Sequence, residues 1–366
     1  MRVLVYDLRP TFKNDAAIWK VMKESGPFTF GSLFAGIGGI CLGFSQAGFA
    51  VKWANELDKF ACETYRHNES RINPDLDIAE GDIRDFHPPC AVDVLGGGFP
   101  CQPYSVAGKM GGLDDHRGRG RPMFEEIIRI AKEMRPKPRA IFLENVGNLK
   151  TFDDGKTYQF IKNSLRAAGY PCIIDAVLNS KDYSGIAQFR NRIYIVAFKK
   201  PDDCRSFRTI YGDGLEKRDA EVKFEQIVTD GPVPLKYYYS KDDPNKCISI
   251  RYDEHFVPAV TEPGVFYQYR RTKMRRNQNG LCPALTASMG GGGHNVPIIL
   301  DDYGIRKLTP RECLNVQGFP DWYEFPEDMA DGHKYKQAGN SVSVPVIHSF
   351  ADLIYHALED ADKSKQ

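Results

Sequence analysis

The sequence predicts an α/β fold in which a mostly parallel sheet is covered by helices on both faces. Short apolar runs alternate with amphipathic runs from Phe28 to about residue 198, as expected for strands joined by crossover helices. Residues able to carry chemistry follow several of the apolar runs, and ligands of such sheets collect where the strands end. The alternation stops near Lys199, where a turn-rich, charged and aromatic segment begins.

The elements can be placed in order along the chain. Strands are predicted at residues 30–34, 50–55, 77–79, 92–95, 140–143, 172–178 and 192–198. Helices are predicted at residues 39–47, 60–67, 123–134, 158–168 and 344–358. Thr309, followed by Pro310 and Glu312, indicates a further helix that begins with a capping box.

This order predicts four segments. Residues 1–27 form an N-terminal extension, and residues 28–200 form the sheet domain. Residues 201–300 form a smaller irregular domain with few helices, and residues 301–366 return to the sheet domain.

Composition narrows the class of protein. The chain has 366 residues, is 42% hydrophobic and carries a net charge of +1, so its overall charge does not indicate a polyanionic partner. The nine cysteines are scattered, and their spacing predicts neither a metal site nor a disulfide framework. We find no signal peptide and no apolar stretch of membrane-spanning length. These features predict a cytoplasmic protein that contacts no membrane.

A glycine-rich loop after the first predicted strand is a candidate cofactor site. Gly36 and Gly38 let the backbone approach a ligand closely, although a plain tight turn would also explain them. Glu56 ends the second strand, where it could bind both hydroxyls of a ribose, and Asp82 follows the third, where it could accept from an adenine amino group. Alternatively, Glu56 or Asp58 caps the next helix. The chain has no lysine-bearing phosphate loop, so S-adenosyl-L-methionine fits better than ATP.

Cys101 and Glu144 are the candidate catalytic residues. Cys101 follows the glycines 96–98, which let the chain turn after a predicted strand, and Glu144 ends another apolar run. A thiolate nucleophile with a proton-donating carboxyl group suits covalent attack on a pyrimidine ring. Taken alone, such a cysteine is more often a small buried apolar residue.

Five ordered motifs together resemble the DNA (cytosine-5) methyltransferase family. They are Phe34-Ala35-Gly36-Ile37-Gly38-Gly39, Pro100-Cys101-Gln102, Glu144-Asn145-Val146, Gln188-Phe189-Arg190-Asn191-Arg192 and Gly339-Asn340-Ser341-Val342. The resemblance spans about residues 28–350. It implies a Rossmann-like S-adenosylmethionine-dependent methyltransferase fold, with residues 28–200 as the catalytic domain and residues 201–300 as a target-recognition domain.

The resemblance also implies roles for single residues. Cys101 would add to C6 of a flipped-out cytosine, Glu144 would bond to N3 and the amino group, and Arg192, with Arg190, would hold the base carbonyl and the nearby acidic group. Asn145 would fix the geometry of its loop. The cofactor would be bound by Phe34, Gly36, Gly38, Glu56, Leu57, Asp82, Ile83, Gly98, Pro100 and Asn340.

The implied nucleic-acid contacts lie in two places. After the nucleophile, Gln102 and Ser105 would touch the extruded nucleotide or the space that it leaves. In the recognition segment, phosphate and groove contacts would come from Arg270, Arg271, Arg275 and Thr286, although a basic cluster can also be a solvated surface. The implied partner is double-stranded DNA. A tRNA substrate, or a catalytically inactive DNA-binding relative, is the alternative.

The resemblance places the protein in a bacterial or phage restriction–modification system, and we expect a monomer. Neither the recognised base sequence nor a partner restriction endonuclease can be read from the chain.

Overall fold

The computed structural model describes residues 26–73, 78–100, 123–218, 222, 224–248, 252–270, 273–277, 280–291 and 295–365. The chain divides into two compact units. The sheet unit contains the described residues of Glu24–Asn179, Asn191–Glu216 and Val344–Gln366. The hairpin unit contains those of Ser180–Arg190 and Lys217–Ser343.

Seven strands form the central sheet in the described part of the sheet unit. They are β1 Thr29–Leu33, β2 Ala50–Glu56, β3 Ile78–Glu80, β4 Val94–Gly97, β5 Ala140–Val146, β6 Cys172–Asn179 and β7 Asn191–Phe198. Their spatial order is β3-β2-β1-β4-β5-β7-β6. The pairs from β3 through β5 are parallel, and β7 runs antiparallel to both of its neighbours. The predicted mostly parallel α/β sheet is therefore confirmed.

Helices surround this sheet, and alternate strand residues meet them on opposite faces. They are α1 Gly39–Gln46, α2 Lys59–Ile72, α3 Met123–Glu133, α4 Lys156–Ala167, α5 Pro201–Tyr211 and the C-terminal helix Val344–Lys363. Ile141 and Leu143 belong to a buried core that includes residues of α3 and α4. Phe142, between them, packs on Phe44 of α1 and Phe350 of the C-terminal helix. A strand with two apolar faces is expected where helices cover both sides.

Arg139, just before β5, ties the last helices to the sheet. Its guanidinium donates to both carboxylate oxygens of Asp203 in α5, at 2.7 and 3.1 Å, and to Asp362 in the C-terminal helix at 2.7 Å. Asp203 is fully buried. A buried carboxylate is stable only when it is paired, so this contact fixes where α5 packs.

The scattered cysteines predicted no disulfide framework, and among the described residues one disulfide is present. Cys172 at the start of β6 and Cys204 in α5 form a disulfide, with Cα atoms 6.3 Å apart. Their separation of 32 residues in the sequence gave no sign of the pair, because only folding brings α5 beside β6.

The hairpin unit contains a four-stranded antiparallel sheet among its described residues. Its strands are β8 Tyr267–Arg270, β9 Lys273–Arg276, β10 Ile298–Asp301 and β11 Gly304–Lys307, in the spatial order β9-β8-β10-β11. Shorter strands are Gln188–Phe189, Tyr239–Ser240, Cys247–Ile248 and Cys282–Pro283, and the helices are Phe224–Ile227, Pro310–Gln317 and Asp331–Asn340. The apolar core of the sheet is formed by Phe256, Val260, Tyr267, Ile298 and Ile305.

The predicted capping box is confirmed at the helix Pro310–Gln317. The Thr309 hydroxyl accepts from the Glu312 amide, and the Glu312 carboxylate accepts from the Thr309 amide. Glu312 also pairs with the buried guanidinium of Arg306 through two contacts of 2.8 Å. The helix is therefore fixed to β11 as well as capped.

The predicted boundary at residue 201 coincides with the first residue of α5, whereas the change of unit follows Glu216. Proline at the first helical position is typical of a helix start, so Pro201 marks a new helix. The assignment of functions to the predicted domains stays a prediction. Among the helices that the structure describes, none is long and apolar enough to cross a membrane.

Candidate active site

The glycine-rich loop between β1 and α1 adopts backbone conformations that favour glycine. Phe34, Gly36 and Gly38 have φ angles of 53°, 56° and 82°. A Cβ atom on Gly38 would lie 2.7 Å from the ring of Tyr65, whereas one on Gly36 would meet nothing within 4 Å. Gly38 is therefore required for packing, and Gly36 leaves open space above the loop that a ligand could occupy.

Glu56, at the end of β2, holds this loop in place. Its Oε2 accepts from the Gly36 amide at 2.8 Å, and its Oε1 accepts from the amides of Leu57 and Asp58 at 2.9 and 2.8 Å. An ionised carboxylate has about four acceptor positions, so these bonds leave capacity for a ligand hydroxyl. Asp58 caps α2 by accepting from Phe60, so the alternative of a helix cap applies to Asp58.

Asp82 and Ile83 follow β3 at the same edge of the sheet. The turn before them is fixed by Asn55, whose amide donates to the carbonyls of Ala79 and Gly81 at 3.0 and 3.1 Å. Asp82 accepts from the backbone amide and the guanidinium of Arg84, both at 2.9 Å. The hydrogen bonds from Arg84 lower the pKa of Asp82 to about 2, so this carboxylate is ionised at neutral pH.

Apolar side chains accompany these acceptors. Phe34 is partly buried against the core that includes Ile83, while Leu57 beside Glu56 is 67% exposed. An exposed leucine beside an acceptor could cover one face of a flat ring. The ends of β1, β2 and β3 thus bring together an open loop, a carboxylate with one spare acceptor position, an ionised aspartate and apolar surface.

Glu144, near the end of β5, lies beside the segment that leads to Cys101. Strands β4 and β5 are parallel neighbours in which Gly97 pairs with Leu143. A Cβ atom on Gly98 would lie 3.6 Å from Glu144 Oε2, so the carboxylate packs against this glycine. Pro100, the last described residue before the nucleophile segment, is exposed.

Asn145 links the two strand ends directly. Its side-chain amide donates to the Phe99 carbonyl at 2.8 Å, and its side-chain oxygen accepts from the Val146 amide at 2.8 Å. Asn145 and Phe99 are both buried. The side chain of Asn145 therefore fixes the backbone two residues before Cys101, in agreement with the role that the sequence predicts for it.

Arg192, in β7, provides the positive charge beside Glu144. Its Nε lies 2.9 Å from Glu144 Oε1, yet the geometry is not that of a hydrogen bond. Among the described residues, this Oε1 is a buried oxygen without a hydrogen-bond partner. The ion pair with Arg192 compensates the charge of this oxygen, and the absence of a hydrogen bond leaves an acceptor position for an amino group.

Arg190 lies in the hairpin unit, where it donates to main-chain oxygens. Its guanidinium donates to the Leu285 carbonyl at 2.9 Å and to the Ser341 carbonyl. The side chain is buried. These contacts fix three distant segments of the hairpin unit to one another, a structural role that the sequence did not predict.

A basic face is formed by the β8–β9 hairpin. Arg270 pairs with Lys273 and Gln268 with Arg275 across the two strands, so these side chains share one face. Arg270, Lys273 and Arg275 are exposed, and no ion pair engages them within the part of the chain that the structure describes. We call these three residues the basic hairpin face.

The opposite face of the hairpin is different. Tyr267, Tyr269 and Met274 pack into or against the core, and Arg276 pairs with Glu262 at 2.6 Å. Among the residues of this hairpin that the structure describes, the basic hairpin face alone combines exposure with unneutralised charge.

The remaining predicted site residues either lie in the hairpin unit or fall outside the described residues. Thr286 is exposed and shares a hydrogen bond of 2.8 Å with Ser288, and Asn340 is the exposed last residue of its helix. Outside the described residues are Cys101, Gln102, Ser105 and Arg271.

Comparison with known proteins agrees with the family that the five sequence motifs resemble. The family model for C-5 cytosine-specific DNA methylase matches residues 28–356. The Type II methyltransferase M.Bsp6I of Bacillus sp. (strain RFL6) is 42% identical over 331 residues, covering 89% of this chain and 98% of the relative. The Type II methyltransferase M.HpaII of Haemophilus parainfluenzae is 36% identical over 361 residues, covering 92% of each chain.

Solved structures show the same fold at lower identity. The Dnmt2 methyltransferase of S. pombe aligns with a TM-score of 0.66 and 17% identity, over 90% of this chain and 99% of that one. The Entamoeba histolytica methyltransferase EhMeth aligns with a TM-score of 0.64 and 17% identity, over 90% and 98%.

Proposed function

The chain belongs to the C-5 cytosine-specific DNA methylase family, and we propose that it transfers a methyl group from S-adenosyl-L-methionine to C5 of a cytosine flipped out of duplex DNA. The observation that carries the proposal is the pair of strand ends β4 and β5. There a buried glutamate lies beside the segment that leads to Cys101. One of its oxygens is paired with Arg192 and accepts no hydrogen bond from the described residues.

Cytosine needs activation before it can be methylated, because C5 is a weak nucleophile. The thiolate of Cys101 adds to C6, and the ring electrons move towards C5 as N3 takes up a proton. One oxygen of Glu144 delivers that proton to N3, and the other accepts from the amino group. Arg192, beside Glu144, is the group that would hold the base carbonyl.

The residues at the ends of β1 to β3 fit the proposed cofactor, which supplies an electrophilic methyl group. Glu56 has about one acceptor position left for a ribose hydroxyl, and Asp82 presents an ionised oxygen to the adenine amino group. The open space above Gly36 admits the nucleoside. After methylation, a base takes the C5 proton and the bond from Cys101 to C6 breaks with its electron pair leaving on sulfur. The N3 proton returns to Glu144, which leaves neutral 5-methylcytosine and the starting enzyme.

The target base must leave the helix for this attack, because its ring faces are covered in a stacked duplex. The basic hairpin face supplies the charge for phosphate contact, with Arg271 and Thr286 as further proposed contacts. We also propose that Gln102, Ser105 and Asn340 act as the resemblance implies. Because its proposed substrate is bacterial DNA, we place the enzyme in the cytoplasm and expect it to act as a monomer.

The direct test is bisulfite sequencing of duplex DNA treated with the protein and S-adenosyl-L-methionine. We expect protected cytosines within one short sequence, and none with the Cys101→Ser variant. Conversion of every cytosine by bisulfite, after treatment with folded protein and varied DNA, would refute the proposal.

A further inference from the structure

Arg84 and Asp82 form a bidentate ion pair beside the proposed adenine position. Oδ1 of Asp82 accepts from both the backbone amide and the Nε of Arg84 at 2.9 Å. Oδ2 accepts from Nη2 of the same guanidinium. Two parallel bonds from a planar guanidinium fix the carboxylate plane as well as its charge.

The bonds from Arg84 occupy most of the hydrogen-bond acceptor positions of the Asp82 carboxylate. Each oxygen offers about two acceptor positions. Arg84 fills both positions on Oδ1 and one on Oδ2. One position on Oδ2 remains, which matches the single N–H that an exocyclic amine can direct at one oxygen.

The same arrangement discriminates between purines. An ionised carboxylate accepts hydrogen bonds and donates none, so it favours the amino group of adenine over the carbonyl of a 6-oxopurine. Arg84 lowers the pKa of Asp82 to about 2, so the carboxylate remains a pure acceptor even in mildly acidic solution.

We propose that Arg84 is a positioning residue that sets the purine selectivity of the cofactor site, by holding Asp82 as an oriented acceptor for a 6-amino group. This inference rests on the proposed function, because that function places adenine beside Asp82. Arg84 itself does not touch the ligand in this account.

The test measures binding and not turnover. Calorimetric titration compares S-adenosylhomocysteine with S-inosylhomocysteine, which carries an oxygen in place of the amino group. We expect wild-type protein to prefer the adenosyl ligand by roughly 10- to 100-fold, the range for a hydrogen bond to a charged group. Arg84→Ala should weaken adenosyl binding by roughly 3- to 10-fold and leave inosyl binding unchanged. Arg84→Lys should restore only part of the loss, because a lysine cannot form both parallel bonds.

A matched control is available close by, at Glu80, the last residue of β3. Arg66 pairs with Glu80 at 2.9 Å, and its side chain is 40% exposed, compared with 43% for Arg84. Arg66→Ala removes a similar ion pair two residues before Asp82, and we expect it to change neither affinity. The inference is overturned if Arg84→Ala loses affinity for both ligands equally or keeps the wild-type affinities. It is also overturned if Arg66→Ala shows the same selective loss of affinity for the adenosyl ligand.

Failure of the proposed function would look different. In that case the wild-type protein itself would bind neither ligand, or would bind both equally. Asp82→Asn provides a further check, because an amide can donate to the oxygen of the inosyl ligand. This variant should lose the preference for the adenosyl ligand whether or not Arg84 has the role proposed here.

Discussion

Asn145 should control the rate of methyl transfer through a single hydrogen bond. Asn145→Asp keeps the oxygen that accepts from Val146 but removes the donor to the Phe99 carbonyl. Because Phe99 lies two residues before Cys101, the change should loosen the segment that positions the nucleophile. A displacement of about 1 Å can cost about 100-fold in rate, and we expect a 10- to 100-fold slower single turnover.

The effect on stability can be worked from the same contacts. The buried Phe99 carbonyl left without a donor costs about 1–3 kcal/mol, and the carboxylate placed at a buried position adds to that cost. Asn145→Asp should therefore lower the free energy of unfolding by at least about 1–3 kcal/mol. Asn145→Ala also removes the acceptor for Val146 but adds no charge, and it should show a similar loss of rate.

A matched control separates rate from stability. Asn68 is also buried and donates to a backbone carbonyl, that of Thr64, at 2.8 Å. Asn68→Asp should lower stability to a comparable degree without slowing a single turnover below the melting transition. The assay is rapid-quench transfer of labelled methyl with excess enzyme, alongside denaturant unfolding. Wild-type rates in Asn145→Asp would refute the reasoning, and so would equal slowing in both aspartate variants.

Three more predictions follow from the contacts described above. Glu144→Gln should slow methyl transfer strongly and weaken DNA binding little, because an amide cannot deliver a proton to N3; an unchanged kcat would exclude this role. Arg275→Gln should reduce the slope of log DNA affinity against log salt concentration by about 1. Arg276→Gln should leave the slope unchanged, because Glu262 already neutralises that charge. Equal slopes in both variants would show that the basic hairpin face does not contact phosphate. Arg139→Ala should destabilise the protein by about 3–5 kcal/mol in denaturant unfolding, because it leaves a buried aspartate unpaired; a smaller change would show that water reaches that site.

The sequence predicts the sheet and much of the site because both follow local rules. Apolar runs of strand length and a glycine loop place Glu56 and Asp82 at successive strand ends. The carboxyl ends of parallel strands meet at one edge of a sheet, so their proximity needs no knowledge of side-chain packing. The capping box at Thr309 is similarly local, since its partner lies three residues away.

Contacts between distant segments could not be predicted in this way. Arg190 is separated by 95 and 151 residues from the carbonyls that it binds, and main-chain acceptors leave no pattern in a sequence. The disulfide of Cys172 with Cys204 is hidden for the same reason. Arg84 is the exception, because an aspartate and an arginine two residues apart at a strand end are visible in the sequence as a possible pair.

The most direct test uses a DNA duplex with 5-fluorocytosine at the target position. Fluorine at C5 cannot leave as a proton does, so the enzyme should remain bonded to the base after methyl transfer. With S-adenosyl-L-methionine we expect a complex that survives denaturant, and a peptide map that places the bond at Cys101. Cys101→Ser should still bind the duplex but form no such complex. Methylation of ordinary cytosine without a trapped complex, or trapping through another residue, would contradict the account.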